Sequence, residues 1–274
     1  MALQIVNPVT PSQRNLVKLK KKNLRKTPLL KSNCLGLKNS SGRNNSGTIT
    51  SYGKGGGHKQ KYRKINFYRK TNSLGIITSI EYDPNRTANI ASVYNYLSNE
   101  YYYILAPKSI SVGDIIKSGS NAEPKIGHSL PISKIPVGSL IHNICPKKNK
   151  KAQISRAAGT FSYLIEKTAK TARILISSGE QRFLSTECYA TIGIVSNEFK
   201  FLTKLGKAGR SRWLNKRSKV RGVAMNPIDH PHGGGEGKTS GGYSLTPWGK
   251  PSKNNSTSKS NNKLIISKNK NVAI

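Results

Sequence analysis

The residues best suited to chemistry lie close together near the carboxyl-terminal end. Asp229, His230, His232 and Glu236 surround three consecutive glycines. Because histidine titrates near neutral pH, this group could bind a metal ion or act in acid–base catalysis, but two histidines without a partner cysteine make a poor structural metal site. Consecutive glycines also let a backbone approach a phosphate or a base closely. Contact with RNA is therefore the favoured interpretation, and a metal-dependent hydrolase at Asp229, His230 and His232 stays open as an alternative.

The end of the same segment partly matches a phosphate-binding P-loop. That motif requires a glycine, four further residues and then Gly-Lys-Ser/Thr, placed between a strand and a helix. Gly237, Lys238 and Thr239 fit its end, but the position of its first glycine holds His232. No strand is predicted before this segment, and the glycines and proline that follow oppose a helix. The sequence therefore argues against an NTPase.

A second glycine-rich segment combines cations with aromatic side chains. Residues 53–57 contain four glycines, and they are followed by His58, Lys59, Lys61, Tyr62 and Arg63. Cations and aromatic rings in one loop suit phosphate contact together with base stacking. Trp213 stands beside Arg212 in a similar setting, although it could instead pack in a small local core.

The charge of the chain is concentrated at its two ends. The 274 residues carry a formal net charge of +36, and residues 1–80 contain 17 Lys and Arg but no Asp or Glu. Residues 81–198 hold 14 bases and 9 acids, whereas residues 199–274 hold 16 bases and 2 acids. In a compact state the end charges lie within a Debye length of about 8 Å and repel each other. They therefore require a polyanion such as RNA, on which the end segments are expected to become ordered.

Cysteine content and hydropathy disfavour other classes of protein. Cys34, Cys145 and Cys188 are far apart and form no Cys-x-x-Cys pair, so neither a zinc knuckle nor a disulfide framework is predicted. No cofactor and no metal is expected. No apolar run approaches the roughly 20 residues of a membrane span. The cationic ends also lack the apolar face that binding to an anionic membrane requires.

The middle of the chain predicts two successive β units. The first set of β-branched segments covers residues 75–82, 89–96, 101–106 and 112–116. The second set covers residues 140–144, 160–167, 172–176, 181–184 and 190–195, with a hairpin loop at 177–180. Residues 124–136 have the composition of a linker, and only residues 199–205 are compatible with a turn or two of helix.

Several segments, in order, resemble the bacterial-type large-subunit ribosomal protein number two, a universal family that binds near the peptidyl-transferase centre. The longest is residues 226–237, which read Asn-Pro-Ile-Asp-His-Pro-His-Gly-Gly-Gly-Glu-Gly. The others are residues 41–45, 55–60, 81–86, 103–107, 136–139, 157–160, 206–209 and 246–249. The resemblance runs from about Asn7 to Gly249, and so many motifs in order make chance implausible.

The resemblance implies a fold and a role. The fold would be mainly β, with an OB-like barrel followed by an SH3-like barrel and long irregular basic extensions at both ends. The expected segments are an RNA-binding arm at residues 1–60, the two barrels at 61–124 and 125–200, and a basic extension at 201–274 whose Gly-rich loop lies near the peptidyl-transferase centre. The implied role is structural and not enzymatic: ribosomal RNA binding that supports subunit assembly, subunit association and organisation of that centre, beside neighbouring ribosomal proteins.

The motifs and the resemblance together predict which residues contact RNA. They are Arg43, Asn44, His58, Lys59, Lys61, Arg63, Arg86, Lys207, Arg210, Arg212, Trp213, Arg221, Asn226, His230, His232 and Lys238. His230 matches a histidine that has been considered in this family for peptide-bond formation. Because ribosomal chemistry is assigned to RNA, we expect His230 to organise RNA and not to act as a general base. No catalytic and no metal-binding residue is predicted.

Composition also suggests where the protein is made. The resemblance begins by Asn7, which leaves no room for a transit peptide, and the frequent Lys, Asn, Ile and Tyr are typical of an AT-rich coding genome. We therefore expect a protein encoded and made in an organelle, the mitochondrion first and the plastid as the alternative. Residues 251–274 lack the Arg-rich tail of bacterial members and are expected to be disordered until bound.

One alternative comes from another class of nucleic-acid-binding protein. A histone-like DNA-binding protein would also need two strongly cationic ends. Similar affinity for folded ribosomal RNA and for duplex DNA of equal charge would favour that alternative.

Overall fold

The computed structural model describes residues 3–20, 24–237, 240–253 and 264–267. The chain packs into two compact units. The first unit contains residues 1–38, 59–207 and 263–274, and the second contains residues 39–58 and 208–262. The predicted division into four consecutive segments remains a prediction, since the chain packs by joining segments that are distant in sequence.

The first β unit consists of four strands. They are β5 (Ser73–Glu81), β6 (Ile90–Asn95), β7 (Glu100–Leu105) and β8 (Ile115–Ser118), with β5 paired antiparallel to β6 and β8, and β6 to β7. Alternate residues point to opposite faces of a strand. The inward face therefore collects Ile77, Val93, Ile104 and Ile116, each at most 1% exposed.

The second β unit consists of six strands around a larger apolar core. They are β9 (Ser129–Pro131), β10 (Leu140–His142), β11 (Ser162–Lys167), β12 (Thr171–Ile176), β13 (Gln181–Ser185) and β14 (Tyr189–Ile192). Ile141, Leu164 and Ile174 are fully buried in this core. The hairpin loop predicted at residues 177–180 is confirmed, because it joins β12 to β13.

The two β units share one sheet. Its order is β15-β13-β12-β11-β10-β14-β9-β8-β5-β6-β7, where β15 is Ile265–Ser267. The link between the units is the parallel contact of Ser118 in β8 with Ser129 in β9. The linker predicted at residues 124–136 is therefore wrong: β9 lies inside that range, and all three of its residues are buried. The fold is mainly β, an OB-like unit followed by an SH3-like unit, as the sequence predicted.

A buried arginine lies where the two β units meet. The Arg69 side chain donates to the Ser118 hydroxyl (Nε, 3.2 Å), the Gly127 carbonyl (Nη2, 2.8 Å) and the Thr191 hydroxyl (Nη1, 3.4 Å). The Ser129 hydroxyl donates to the Arg69 carbonyl at 3.1 Å. Burial lowers the pKa of the guanidinium. The side chain of Arg69 thus joins β8 to β14, and its backbone carbonyl joins β9 to them.

A buried histidine lies in the same part of the fold. His142 of β10 is fully buried, and its Nδ1 donates to the Gly193 carbonyl at 2.8 Å. Burial lowers the pKa of His142 to about 4; the bond to Gly193 opposes this change, and the charge of Arg69 adds to it. The imidazole is therefore neutral in the folded protein at physiological pH.

The amino-terminal segment adds two short ribbons to the first unit. β1 (Leu3–Ile5) pairs with β2 (Val17–Leu19), and β3 (Cys34–Gly36) pairs with β4 (Lys61–Arg63). Residues 1–60 are thus less irregular than the sequence predicted. The runs are only three residues long, too short for a recognisable period-2 pattern.

Backbone bonds to a buried carboxylate hold residues 25–30 on the first β unit. Glu81 is 1% exposed and accepts from the Leu29 amide and the Tyr103 hydroxyl, both at 3.0 Å. The same hydroxyl accepts from the Leu30 amide at 3.0 Å. Glu81 belongs to one of the family-like motifs, and its position shows that the motif serves the fold.

The residues that the structure describes contain five short helices. The 3₁₀ helices are Pro11–Gln13, Ile132–Lys134, Glu198–Leu202 and Gly222–Ala224, and the α-helix α1 is Ala208–Trp213. The helical turn predicted within residues 199–205 is confirmed by Glu198–Leu202. The irregular conformation predicted from Gly206 onward is wrong over α1, whose six residues are too few to show a helical period.

Candidate nucleic-acid interface

The two glycine-rich basic segments come together in the second unit. Lys54 and Lys216 form an antiparallel bridge. The Gly55 amide donates to the Asn215 carbonyl at 2.9 Å, and the His58 amide donates to the Trp213 carbonyl at 3.1 Å. Residues separated by about 160 positions in sequence therefore form one surface.

The glycines at this contact make room for side chains of the protein itself. A Cβ at Gly57, where φ is +60°, would overlap Oδ1 of Asn215, and a Cβ at Gly53 would lie 2.9 Å from the Lys219 side chain. A Cβ at Gly55 would lie 3.0 Å from Arg217. The side chains for which these glycines leave room belong to the second basic segment, and close approach to a phosphate or base of RNA stays a prediction.

The surface formed in this way is strongly cationic. Residues 39–58 and 208–262 contain 12 Lys and Arg and only two acids, Asp229 and Glu236. Arg43, Lys54, Arg212, Lys216 and Arg217 are exposed. Ion pairs among the described residues occur instead in the first unit, as between Lys108 and Glu198 at 2.8 Å. Like charges held this close require a polyanionic partner, which RNA provides.

Aromatic rings accompany these cations. Tyr52 and Trp248 pack with ring centroids 5.7 Å apart and are 49% and 61% exposed. Trp213, at the end of α1, is 52% exposed. Trp213 is therefore not fully buried in a small local core, and the exposed parts of these three rings are accessible to bases.

The histidine loop is held by its own hydrogen bonds. Nδ1 of His230 accepts from the His232 amide at 3.0 Å, and Nε2 of His232 accepts from the Leu245 amide at 2.9 Å. The two rings meet edge to face with centroids 5.0 Å apart. Each ring therefore fixes one backbone amide of the loop through an accepting nitrogen.

His230 is enclosed by the loop and is only 8% exposed. A Cβ at Gly222 would lie 2.4 Å from ring atoms of His230, and a Cβ at Gly233 would lie 2.3 Å from the Asn226 carbonyl oxygen. Close packing of backbone on the ring therefore requires Gly222, and the close approach of the loop to the Asn226 backbone requires Gly233. Among the residues that the structure describes, no group of three or more His, Cys, Asp or Glu is placed to hold a metal ion.

The predicted RNA-contacting residues fall into several groups. Exposed positions are occupied by Arg43, Asn44, His58, Lys59, Lys61, Lys207, Arg212, Trp213, Arg221 and Asn226. Arg210 and His232 are half-buried, His230 is buried, and Lys238 lies outside the described residues. Contact of the first group with RNA stays a prediction.

Two of the predicted cations have partners within the first unit. Arg63 is 5% exposed, and its Nη1 donates to the Lys61 carbonyl at 3.0 Å. Arg86 forms an ion pair with the buried carboxylate of Asp83, and its guanidinium lies 5.8 Å from the Phe67 ring centroid. Both side chains therefore contribute to the fold.

Some cations of the surface were missed by the sequence reasoning. Lys216, Arg217 and Lys219 are exposed. Lys216 forms a bridge with Lys54, and the side chains of Arg217 and Lys219 adjoin Gly55 and Gly53. In the sequence they belong to the dense basic run from Arg210 to Arg221. Only Arg210, Arg212 and Arg221 of that run were predicted to contact RNA. Pairing with a distant glycine segment cannot be read from that run.

The fold and the cationic surface define a class of protein. It is a nucleic-acid-binding β protein in which two basic segments, distant in sequence, pair to form one unit. Residues 31–118 match the model for the RNA-binding N-terminal domain of ribosomal proteins L2, and residues 125–249 match the model for their C-terminal domain. The chain belongs to the family of large ribosomal subunit protein uL2.

Relatives support this assignment over nearly the whole chain. The proteins called large ribosomal subunit protein uL2 in Rickettsia akari and Rickettsia felis are each 51% identical over 274 residues, which is 98% of this chain and 100% of theirs. The uL2 of Rhodospirillum rubrum is 50% identical over 94% of this chain and 92% of its own length. Within the described residues, no helix is long and apolar enough to cross a bilayer.

Proposed function

We propose that this protein is a structural component of the large ribosomal subunit that binds ribosomal RNA. The observation that carries the proposal is the joining of two distant basic, glycine-rich segments into one unit with 12 cations and two acids. Family membership agrees with it, since the matched N-terminal model is described as RNA-binding. The protein acts by neutralising phosphates and fixing RNA geometry, and not as an enzyme.

The histidine loop has a positioning role in this proposal. His230 is enclosed, and its Nδ1 is occupied by the His232 amide, so it is poorly placed to take a proton from a substrate. The loop instead presents exposed Asn226 and Ile228, the latter 93% exposed, on a fixed backbone. It supports organisation of RNA at the peptidyl-transferase centre.

The compartment that we propose is the mitochondrion, with the chain made there. Support comes from similarity to uL2 of Rickettsia and Rhodospirillum, which are alphaproteobacteria, and from the composition typical of an AT-rich genome. Cell fractionation tests this part, because recovery of the protein with plastid ribosomes would overturn it.

Sedimentation tests the function itself. Native protein from gently lysed organelles should sediment with large subunits, and should leave them only at high salt, because phosphate neutralisation weakens as salt rises. A histone-like protein would sediment with DNA instead. Recovery of the chain with DNA, or at the top of a low-salt gradient, would contradict the proposal.

A further inference from the structure

One face of the first β unit is apolar and uncovered. In β5 to β8, Ile115, Ile76, Tyr94 and Tyr101 stand opposite one another in register across four strands. Ile115 is 56% exposed and Tyr101 47% exposed, whereas the neighbouring residues of these strands fill the core. We call these four residues, with Leu74 and Tyr96 beside them, the tyrosine face.

Packing and hydrogen bonds pre-form this face. The Tyr94 ring lies 4.9 Å from that of Tyr101 and 5.3 Å from that of Tyr96, measured between centroids. The Tyr94 hydroxyl donates to Oδ1 of Asn99 at 3.1 Å, and Asn95 Oδ1 accepts from the Leu97 amide at 3.2 Å. A partner therefore meets side chains that are already ordered, which lowers the entropy cost of binding.

The charge around the tyrosine face does not suit RNA. Residues 87–107 contain no Lys or Arg, although the chain has 47 of them, and Glu100 lies at the tip of the β6–β7 hairpin. Lys117 of β8 is paired with Glu123 at 2.7 Å. Aromatic platforms for nucleic acids normally stand in positively charged grooves. Tyrosine ring faces and a carboxylate instead attract cations.

A segment of the chain itself covers the neighbouring part of the same sheet face. Farther along β5 to β7, this face carries Ser79, Glu81 and Tyr103, and residues 25–30 lie on it. The Arg25 amide donates to the Ile80 carbonyl at 2.9 Å. That segment reads Arg-Lys-Thr-Pro-Leu-Leu, which is both basic and apolar.

We propose that the tyrosine face docks a basic, apolar-containing segment of a neighbouring protein in the large subunit. Apolar side chains of that segment cover Ile76 and Ile115, and its Lys or Arg side chains lie over the tyrosine rings and beside Glu100. This proposal rests on the proposed function, because the partner is reached only inside the assembled particle.

Photocrosslinking in assembled large subunits tests it. The full chain carries p-benzoylphenylalanine in place of Tyr96, and subunits containing it are purified and irradiated. The expected product is an adduct with a protein, and its crosslinked peptide contains Lys or Arg. An adduct mainly with ribosomal RNA, an adduct with a peptide lacking Lys and Arg, or no adduct would overturn the proposal. Failure of the chain to enter subunits would contradict the proposed function instead.

A variant that adds a positive charge to the tyrosine face tests whether the partner is basic. Ile115→Lys places a cation on the face, and repulsion of a basic partner should lower the yield of the adduct at least about fivefold. Val137→Lys, at a 52% exposed position of the first unit outside the tyrosine face, is the matched control and should leave the yield unchanged. Equal yields from both variants would contradict a basic partner.

Discussion

At the scale of single residues, two ring nitrogens and two glycines decide the shape of the histidine loop. The sequence singled out His230 and His232 because of what imidazole can do. The structure shows both rings accepting backbone amides, with Gly222 packed on His230. A chemically capable side chain is thus used to fix backbone geometry.

We predict that His230→Ala loosens this loop but not the β units. The change removes the acceptor of the His232 amide, a loss of about 1–3 kcal/mol confined to the loop. Urea unfolding followed by far-UV circular dichroism should be unchanged, while large subunits containing the variant should form peptide bonds more slowly. Val112→Ala, at a 58% exposed position outside the loop, is the control. Normal peptide-bond formation in subunits shown to contain His230→Ala would refute a role for the loop.

Charge reversal should affect RNA binding at an exposed cation and fold stability at a buried one. Lys59→Glu should weaken ribosomal RNA binding and reduce the slope of log affinity against log salt by about one, because a phosphate contact is lost. Arg63→Glu should instead destabilise the fold, since Arg63 is 5% exposed. Filter binding over a salt series and urea unfolding measure the two effects. A normal unfolding midpoint for Arg63→Glu would contradict its structural assignment.

At the scale of elements, the two β units could be predicted from the sequence, but the contacts between segments distant in sequence could not. The strands of β5 to β7 and β11 to β13 follow from β-branched runs bounded by turns, which is local information. The position of β9 could not be predicted, because its three residues resemble a linker until they pair with β14 and β8. The pairing of residues 53–57 with 213–217 likewise depends on contacts between distant segments.

Arg69 is the residue on which the joint between the β units depends. Arg69→Ala leaves the Gly127 carbonyl and two hydroxyls without their donor, and we expect a loss of about 3 kcal/mol in the free energy of unfolding. Arg69→Lys should recover only part of the lost free energy of unfolding, because a single ammonium group cannot make all the hydrogen bonds of the planar guanidinium. Urea unfolding measures both. Wild-type stability in Arg69→Ala would show that the joint is held by other contacts.

Acid should weaken the second β unit through His142. Its pKa is about 4 in the folded protein, below the ordinary value of 6.5, so the unfolded chain binds the proton first as pH falls. Stability is thus lost between about pH 6.5 and pH 4, by up to about 3 kcal/mol. His142→Gln should flatten this part of the stability profile. An unchanged profile would assign the acid sensitivity to other groups.

At the scale of the whole molecule, the distribution of charge along the chain indicates the kind of partner. The second unit holds 12 Lys and Arg and only two acids, whereas residues 87–107, which carry Tyr94, Tyr96 and Tyr101, contain no Lys or Arg. Net charge and its distribution were readable from the sequence, and they predicted the kind of partner correctly at the level of the family. The grouping of particular cations on one surface could be identified only from the three-dimensional structure.

The central claim is that residues 39–58 and 208–250 together form one RNA-binding unit. Ultraviolet crosslinking of native large subunits, followed by mapping of RNA-linked peptides, tests it most directly. We predict adducts in both segments, including peptides that contain His58, Trp213 and Trp248, and few from β5 to β7. Adducts confined to one of the two segments, or concentrated on the tyrosine face, would contradict the account.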